Sequence, residues 1–401
     1  MSSRRTDFPI FSNNPNLNYL DSASSTQKSS YVIDKTTEYI THSYANIGRG
    51  SYGLAEESDH LYYQTKERVG DLIGCKANEV FFSHNSSYCM NILAQSLAES
   101  GYFKAGGEIL LSVAEHHANI LVRQKIAQKF SLSIKWIGLD SEFQFSYHDI
   151  VSNLSDKTVL VSLSLCSNVL WVKNDLRGIR KIIWPDCLFI VDASQAIPNY
   201  KVDVKELDCD MLVFSAHKFL AYTGLGVGYI KHSLISRLQP SLLWGGIVEE
   251  VSTHHYTLKT NIEKFEVGTP NIISIVSLYY ALEYRDWIGG YTRWWEYEKE
   301  LINYTLTKCL TLSDKIKCIN VNQENRIGIF TFLLPEDSLK TINQLNEKLN
   351  KQEICTRVGG HCAYPLANYL KISTPTLRLS LYIYNTKQDI DKFFQTIKEF
   401  L

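Results

Sequence analysis

The chain has 401 residues, 45% hydrophobic and 21% charged, the proportions of a folded protein with room for two domains and not of a disordered or collagen-like chain. Its 41 Lys+Arg against 42 Asp+Glu leave a formal charge of −1, so nothing supports a nucleic-acid-coating role. No apolar run is long enough for a membrane span, and Met1–Arg5 leads into Thr6-Asp7-Phe8-Pro9 rather than an apolar segment, which argues against a secretory signal. The nine cysteines have no CxxC spacing. They fit reduced thiols of a cytoplasmic protein better than a disulfide framework or a metal centre.

In chain order, Leu54 to Ile73 reads as an amphipathic helix ending near Gly74. Val80–Phe82 reads as a strand, followed by polar His84-Asn85-Ser86-Ser87 and a helix over Met90–Leu97. Short apolar strands follow at 108–113, 158–165, 187–191, 211–214 and 226–231. Continuous apolar strands separated by helices predict an α/β fold with a mostly parallel sheet covered on both faces. After about Asn271 the pattern changes. Helices over 272–287, 291–309, Ser338–Leu349 and Lys387–Leu401, with strands at 328–333 and 376–383, predict a smaller α+β unit.

Polar residues recur just beyond the apolar strands. Ligands of open parallel sheets sit outside the carboxyl ends of the strands. Those ends offer Asn85-Ser86-Ser87, Glu115-His116-His117, Ser167-Asn168, Asp192-Ala193-Ser194-Gln195 and Ser215-Ala216-His217-Lys218. Lys218 is either a lysine opening a surface loop or an amine placed to bind a carbonyl cofactor covalently. Asp192 is either a helix cap or a carboxylate facing a cation such as a protonated pyridine nitrogen, as in pyridoxal phosphate sites. Ser86 and Ser87 suit a helix cap, and equally a phosphate at a helix N-terminus. His116 reads either as a satisfied core histidine or as a ring stacked on a cofactor that moves protons. Cys362, in Gly359-Gly360-His361-Cys362-Ala363, is either a small buried residue or a nucleophile. Arg357 and His361 are the nearby residues that would favour its thiolate.

Several segments carry a resemblance. They are Asn18-Tyr19-Leu20-Asp21-Ser22-Ala23, Tyr44-Ala45-Asn46-Ile47 with Arg49-Gly50, and Glu115-His116-His117-Ala118-Asn119. They continue in Ser167-Asn168, Asp192 with Gln195, Phe214-Ser215-Ala216-His217-Lys218, Phe265 to Asn271, Arg357 to Ala363 and Leu377-Arg378-Leu379-Ser380. With these, nearly the whole chain resembles the class V aminotransferase-fold family, specifically the SufS-type (group II) cysteine desulfurases and selenocysteine lyases.

The resemblance implies an aspartate aminotransferase-like α/β fold of type I and pyridoxal 5'-phosphate as cofactor. It implies an arm at 1–17 packing on the small domain, a large cofactor-binding domain at 18–271 and a small domain at 272–401. Lys218 would carry the cofactor and move the Cα proton. Asp192 would pair with the pyridine nitrogen, Gln195 would bond the phenolic oxygen, and His116 would stack on the ring. Ser86, Ser87, Ser215 and His217 would hold the phosphate, and Thr269 would reach the phosphate of the other subunit of a homodimer. Asn168 and Arg378 would hold the substrate carboxylate, Arg357 would lie near its thiol, and Cys362 would take the sulfur as a persulfide.

The implied activity converts L-cysteine, or L-selenocysteine, to L-alanine. The sulfur would pass to a SufE- or SufU-like protein for iron–sulfur clusters or another pathway. A second implied possibility is another pyridoxal phosphate reaction, such as C–S lysis, epimerisation or replacement, and a third is a non-catalytic sulfur-transfer scaffold. Asn85, Gly48, Tyr52, Trp171, Tyr222 and Gly360 depart from the family pattern. They are expected to cluster where substrate or acceptor approaches, with Tyr222 adding bulk beside the cofactor.

Overall fold

Seven strands build the central sheet of the computed structural model, which describes residues 3–312, 316–321, 325–334, 339–372 and 375–400. They are β1 (Val80–Ser83), β2 (Glu108–Ser112), β3 (Ser133–Ile137), β4 (Thr158–Ser164), β5 (Leu188–Asp192), β6 (Met211–Ser215) and β7 (Gly226–Ile230). Their order across the sheet is β1-β7-β6-β5-β4-β2-β3. β7 runs antiparallel to β1 and β6, and the other pairs are parallel. The fold is α/β of type I, with a mixed sheet.

The apolar strands are buried from end to end because both faces are covered. Along β5, Phe189 and Val191 join one core cluster, while Leu188 and Ile190 join another on the opposite face. This is the two-residue alternation of a strand between two layers of helices. β3 escapes the sequence reading because it lies at the sheet's edge. Its residues Ser133-Ile134-Lys135-Trp136 are only partly buried, so no apolar run marks it.

The covering helices include α1 (Ser30–His42), α2 (Gly53–Ile73), α3 (Ser86–Glu99) and α4 (His117–Phe130). α2 stops at Gly74, which sits at φ +79°, the left-handed conformation that glycine adopts without a Cβ penalty. α5 (Ile272–Trp287) packs on α1 and α2, on the N-terminal side of the molecule. The sequence grouped it with the C-terminal unit.

A second, antiparallel sheet carries the C-terminal part. It comprises β8 (Lys317–Cys318), β9 (Ile329–Leu333), β10 (Arg357–Gly359) and β11 (Thr376–Ser380), in the order β8-β9-β11-β10. α6 (Gly290–Cys309), α7 (Leu339–Lys351) and α8 (Lys387–Phe400) accompany it. Ser338 and Leu401, expected in the last two helices, lie outside the described residues.

The N-terminal segment joins the two sheets. Arg5 pairs with Asp389 at 3.2 Å, and the Phe8 ring meets Tyr284 and Tyr384 edge-on. Asn18–Tyr19 pairs with Ile354–Cys355, and Asp21 bridges to Ser380 on β11. Residues 21–26 are thereby strung between the second sheet and the Lys218 turn, where the Thr26 N–H donates to the His217 carbonyl at 3.1 Å. No helix among the described residues is long and apolar enough to cross a membrane.

Candidate active site

The five polar clusters follow five strands that point the same way, so the sheet brings them to one edge. At β1 the chain turns into α3 through Asn85, whose side chain caps the helix by accepting from Tyr88 N at 2.9 Å. Ser86 N–H donates to Ser215 Oγ at 3.0 Å, and Ser215 Oγ–H donates to Ser86 Oγ at 2.8 Å. The ends of β1 and β6 therefore share hydroxyls at the start of a 14-residue helix, where the dipole favours an anion. Gly226 makes this approach possible. A Cβ there would lie 2.2 Å from the Asn85 carbonyl carbon. Ser87, the next residue of α3, is exposed. The His217 imidazole is held down to a pKa of about 4, chiefly by burial and then by Lys218 and Lys28, and its Nδ1 is buried without a partner.

Lys218 lies just beyond β6 and has no hydrogen-bond or ion-pair partner among the described residues. Burial lowers its pKa to about 8, with Asp192 opposing the shift. Asp192 is buried at the end of β5, and one of its oxygens accepts from Ser194 N at 2.9 Å. His116 caps α4 by accepting from Ala118 N through Nδ1 at 3.1 Å. Burial brings its pKa to about 4, opposed by Asp192 and reinforced by Lys218, His117 and Arg378. Its ring is therefore neutral. Gln195 is buried and donates to the Ala23 carbonyl at 2.9 Å. Behind His116, Glu115 ties β2 to β4, accepting from Ser112 Oγ at 2.7 Å and Ser164 N at 3.0 Å.

The second sheet supplies the cations. Arg378, on β11 and 3% exposed, donates to the Asn168 carbonyl at 3.2 Å, to Asp21 at 3.1 Å and to Ser24 Oγ at 2.8 Å. Its Nε is buried without a partner, which leaves donor capacity for a ligand carboxylate. Arg357, on the neighbouring strand, shares Ser24 Oγ at 2.6 Å and lies 3.8 Å from Asp21. Asp21 ends no apolar strand and Ser24 follows it in the same N-terminal segment, so neither residue's role is visible in the sequence. Only the bridge to β11 reveals that they orient both arginines.

Asn168 donates to the His361 carbonyl at 2.7 Å, which ties the strand-end cluster to the Cys362 loop. Cys362 is exposed. His361 does not serve it as a cation. It is buried, with Nε2 bonded to Thr376 Oγ1 at 2.8 Å. Burial and then the two arginines hold its pKa at about 3.

Thr269 stands apart. It is exposed and lines a cleft of about 660 Å³ with Arg49, Trp244 and Glu263, among others, but not Lys218. Trp171 is fully buried, with the Arg326 guanidinium 4.8 Å above its ring and Phe330 at 6.0 Å. It keeps φ at +53°, the conformation in which a glycine is unstrained, so core packing holds it there. Tyr222 is part-buried, and its N–H donates to Ser277 Oγ of α5 at 2.9 Å. Gly48, at φ +94°, donates its N–H to Asp59 at 2.7 Å. Tyr52 is exposed just before α2.

These residues fit pyridoxal phosphate on observations independent of any motif. An unpartnered amine, a buried carboxylate with one oxygen bonded only to a backbone N–H, a neutral imidazole and a hydroxyl-lined helix start share one sheet edge. The lowered Lys218 pKa gives an expected outcome. An amine reacts when proton-free, above its pKa. Capture of pyridoxal phosphate by the apo-protein, trapped with borohydride, should rise about fivefold between pH 7 and 8 and level off above about pH 9. An unshifted lysine would still gain about tenfold per pH unit there.

Residues 18–393 match the family Aminotransferase class-V. A cysteine desulfurase of Escherichia coli is 32% identical, covering 97% of this chain and 95% of that protein. Among solved structures, the apo cysteine desulfurase of Thermococcus onnurineus superposes with a TM-score of 0.91 at 29% identity, over 100% of this chain and 98% of that one. The cysteine desulfurase CsdA of Escherichia coli gives 0.88 at 26%, over 99% and 97%. With the fold, the Lys218 edge and the Cys362 loop in place, the chain belongs to the aminotransferase class-V family, and within it to the cysteine desulfurases.

Proposed function

We propose that the protein is a pyridoxal phosphate-dependent enzyme that converts L-cysteine to L-alanine and holds the sulfur on Cys362 as a persulfide. The observation carrying this reading is an exposed thiol on a loop that Asn168, at the end of β4, holds through the His361 carbonyl at 2.7 Å.

Bound pyridoxal phosphate supplies an electron sink that weakens the bonds at Cα and Cβ of an attached amino acid. Lys218 would carry the cofactor and move the Cα proton. Asp192 would pair with the ring nitrogen, Gln195 would bond the phenolic oxygen and His116 would stack on the ring. Ser86, Ser87, Ser215 and His217 would hold the phosphate. Arg378 and Asn168 seat the substrate carboxylate, and Arg357 lies near its thiol. The Cys362 thiolate attacks the substrate sulfur. A new S–S bond forms as the Cβ–S bond breaks, and the bonding pair left on carbon takes up a proton. L-Cysteine and a thiol become L-alanine and a persulfide, with atoms and electrons balanced.

In a homodimer, Thr269 of one copy would complete the phosphate site of the other. Its exposure, away from its own Lys218, supports that arrangement. The exposure of Cys362 supports delivery of sulfur to an acceptor protein of the SufE or SufU kind. The test is the product pair. With L-cysteine and a thiol reductant, the holoenzyme is expected to release alanine and sulfide in equal amounts. Pyruvate in place of alanine would replace this reading with a C–S lyase.

A further inference from the structure

The Cys362 loop is held in a conformation that its own residues disfavour. His361 and Cys362 are consecutive left-handed residues, at φ +50° and +57°, and neither is the glycine that adopts this conformation freely. Such a geometry persists only where surrounding contacts over-determine it.

Asn168 and Thr376 hold His361, and the start of α4 holds the Cys362 side of the loop. The His117 backbone N–H, one of the helix's unpaired first-turn donors, donates to the Cys362 carbonyl at 2.8 Å. The His117 side chain accepts from Tyr364 N–H through Nε2 at 2.9 Å. The two rings pack with centroids 4.8 Å apart. Gly360 makes room for this. A Cβ there would lie 2.5 Å from Cε1 of Tyr364. One residue thus holds both the Cys362 carbonyl and the Tyr364 N–H two positions on, and that residue follows His116 directly.

We propose that His117 and Tyr364 form a clamp that keeps Cys362 in the pose from which it attacks substrate sulfur, with Gly360 as the recess admitting the Tyr364 ring. The proposal rests on Cys362 being the nucleophile. His117 is a positioning residue, acting through the loop. Burial lowers its pKa, the direction that favours the accepting ring seen at Tyr364 N–H.

The test uses the holoenzyme with two readouts, hydrogen exchange at the Tyr364 amide and the single-turnover burst of alanine from L-cysteine. His117→Leu is expected to speed exchange at that amide at least about tenfold and to slow the burst about tenfold or more. The L-cysteine concentration that half-changes the cofactor absorbance should stay at the wild-type value. His117→Gln, whose amide oxygen can accept the same N–H, should restore both readouts. Gly360→Val, which pushes the ring away and leaves His117 in place, should reproduce the slow burst, and it decides the matter if His117→Leu loses cofactor. A wild-type burst in His117→Leu or in Gly360→Val, or a His117→Gln variant as slow as the leucine, would overturn the clamp. Wild-type alanine formation by Cys362→Ala would instead overturn the nucleophile assignment.

Discussion

Replacing Cys362 with alanine is expected to cut alanine formation from L-cysteine at least about a thousandfold, the scale of losing a catalytic nucleophile, while the cofactor stays bound. The separation of the two effects follows from position. Cys362 is exposed and contributes no core packing, so its side chain can be removed without a cavity. The groups expected to hold the cofactor lie on other elements, at the ends of β1, β2, β5 and β6. The measurement pairs cofactor absorbance with alanine yield. Alanine formed at the wild-type rate by a cofactor-loaded variant would show that sulfur leaves without a protein thiol. The other eight cysteines offer little substitute, since Cys75 and Cys355 are part-buried and the remaining six are buried. Burial pushes the pKa of Cys187 up to about 12 and raises those of Cys89, Cys166 and Cys209, away from the thiolate that the chemistry needs.

Arg378→Leu is expected to lower kcat/KM for L-cysteine by about a thousandfold, or about 4 kcal/mol, as when one partner of a buried, hydrogen-bonded charge pair is lost. Most of this should appear in KM if the guanidinium binds the carboxylate equally in ground and transition states. Arg378→Lys should recover little. One ammonium cannot span the Asn168 carbonyl, Asp21 and Ser24 together, as the forked guanidinium does. Cysteamine, which lacks the carboxylate, supplies the control. If the arginine acts through that group, the variant should lose little more with cysteamine than the wild type does. An equal thousandfold loss on both compounds would assign Arg378 to holding Asp21 and the loop around Ser24.

The parallel sheet was legible because its strands are buried on both faces and so read as unbroken apolar runs. Lys218 and Asp192 were legible because each ends such a run. β3 was not, since an edge strand needs no such run, and the packing of α5 on α1 and α2 was not, because an apolar face does not name its partner. Trp171 shows the limit differently. Its unusual residue type was visible, but the sequence placed it by analogy at the substrate side, whereas the fold buries it against Arg326 and Phe330.

The sequence by itself determined the set of reactive groups: an amine, a carboxylate and an imidazole at strand ends, and a thiol in a glycine-rich loop. Strand ends of a parallel sheet converge by topology, so their proximity needs only local patterns. The tertiary structure decided the protonation states and the restraints. His361 lies next to Cys362 in sequence, yet it is buried beneath the arginines and stays neutral. Asp21, more than 300 residues from Arg378, orients it through an isolated bridge to β11. His117 meets Tyr364 across 247 positions. Charge and clamping depend on burial and on contacts distant in sequence, and no local pattern of residues encodes either.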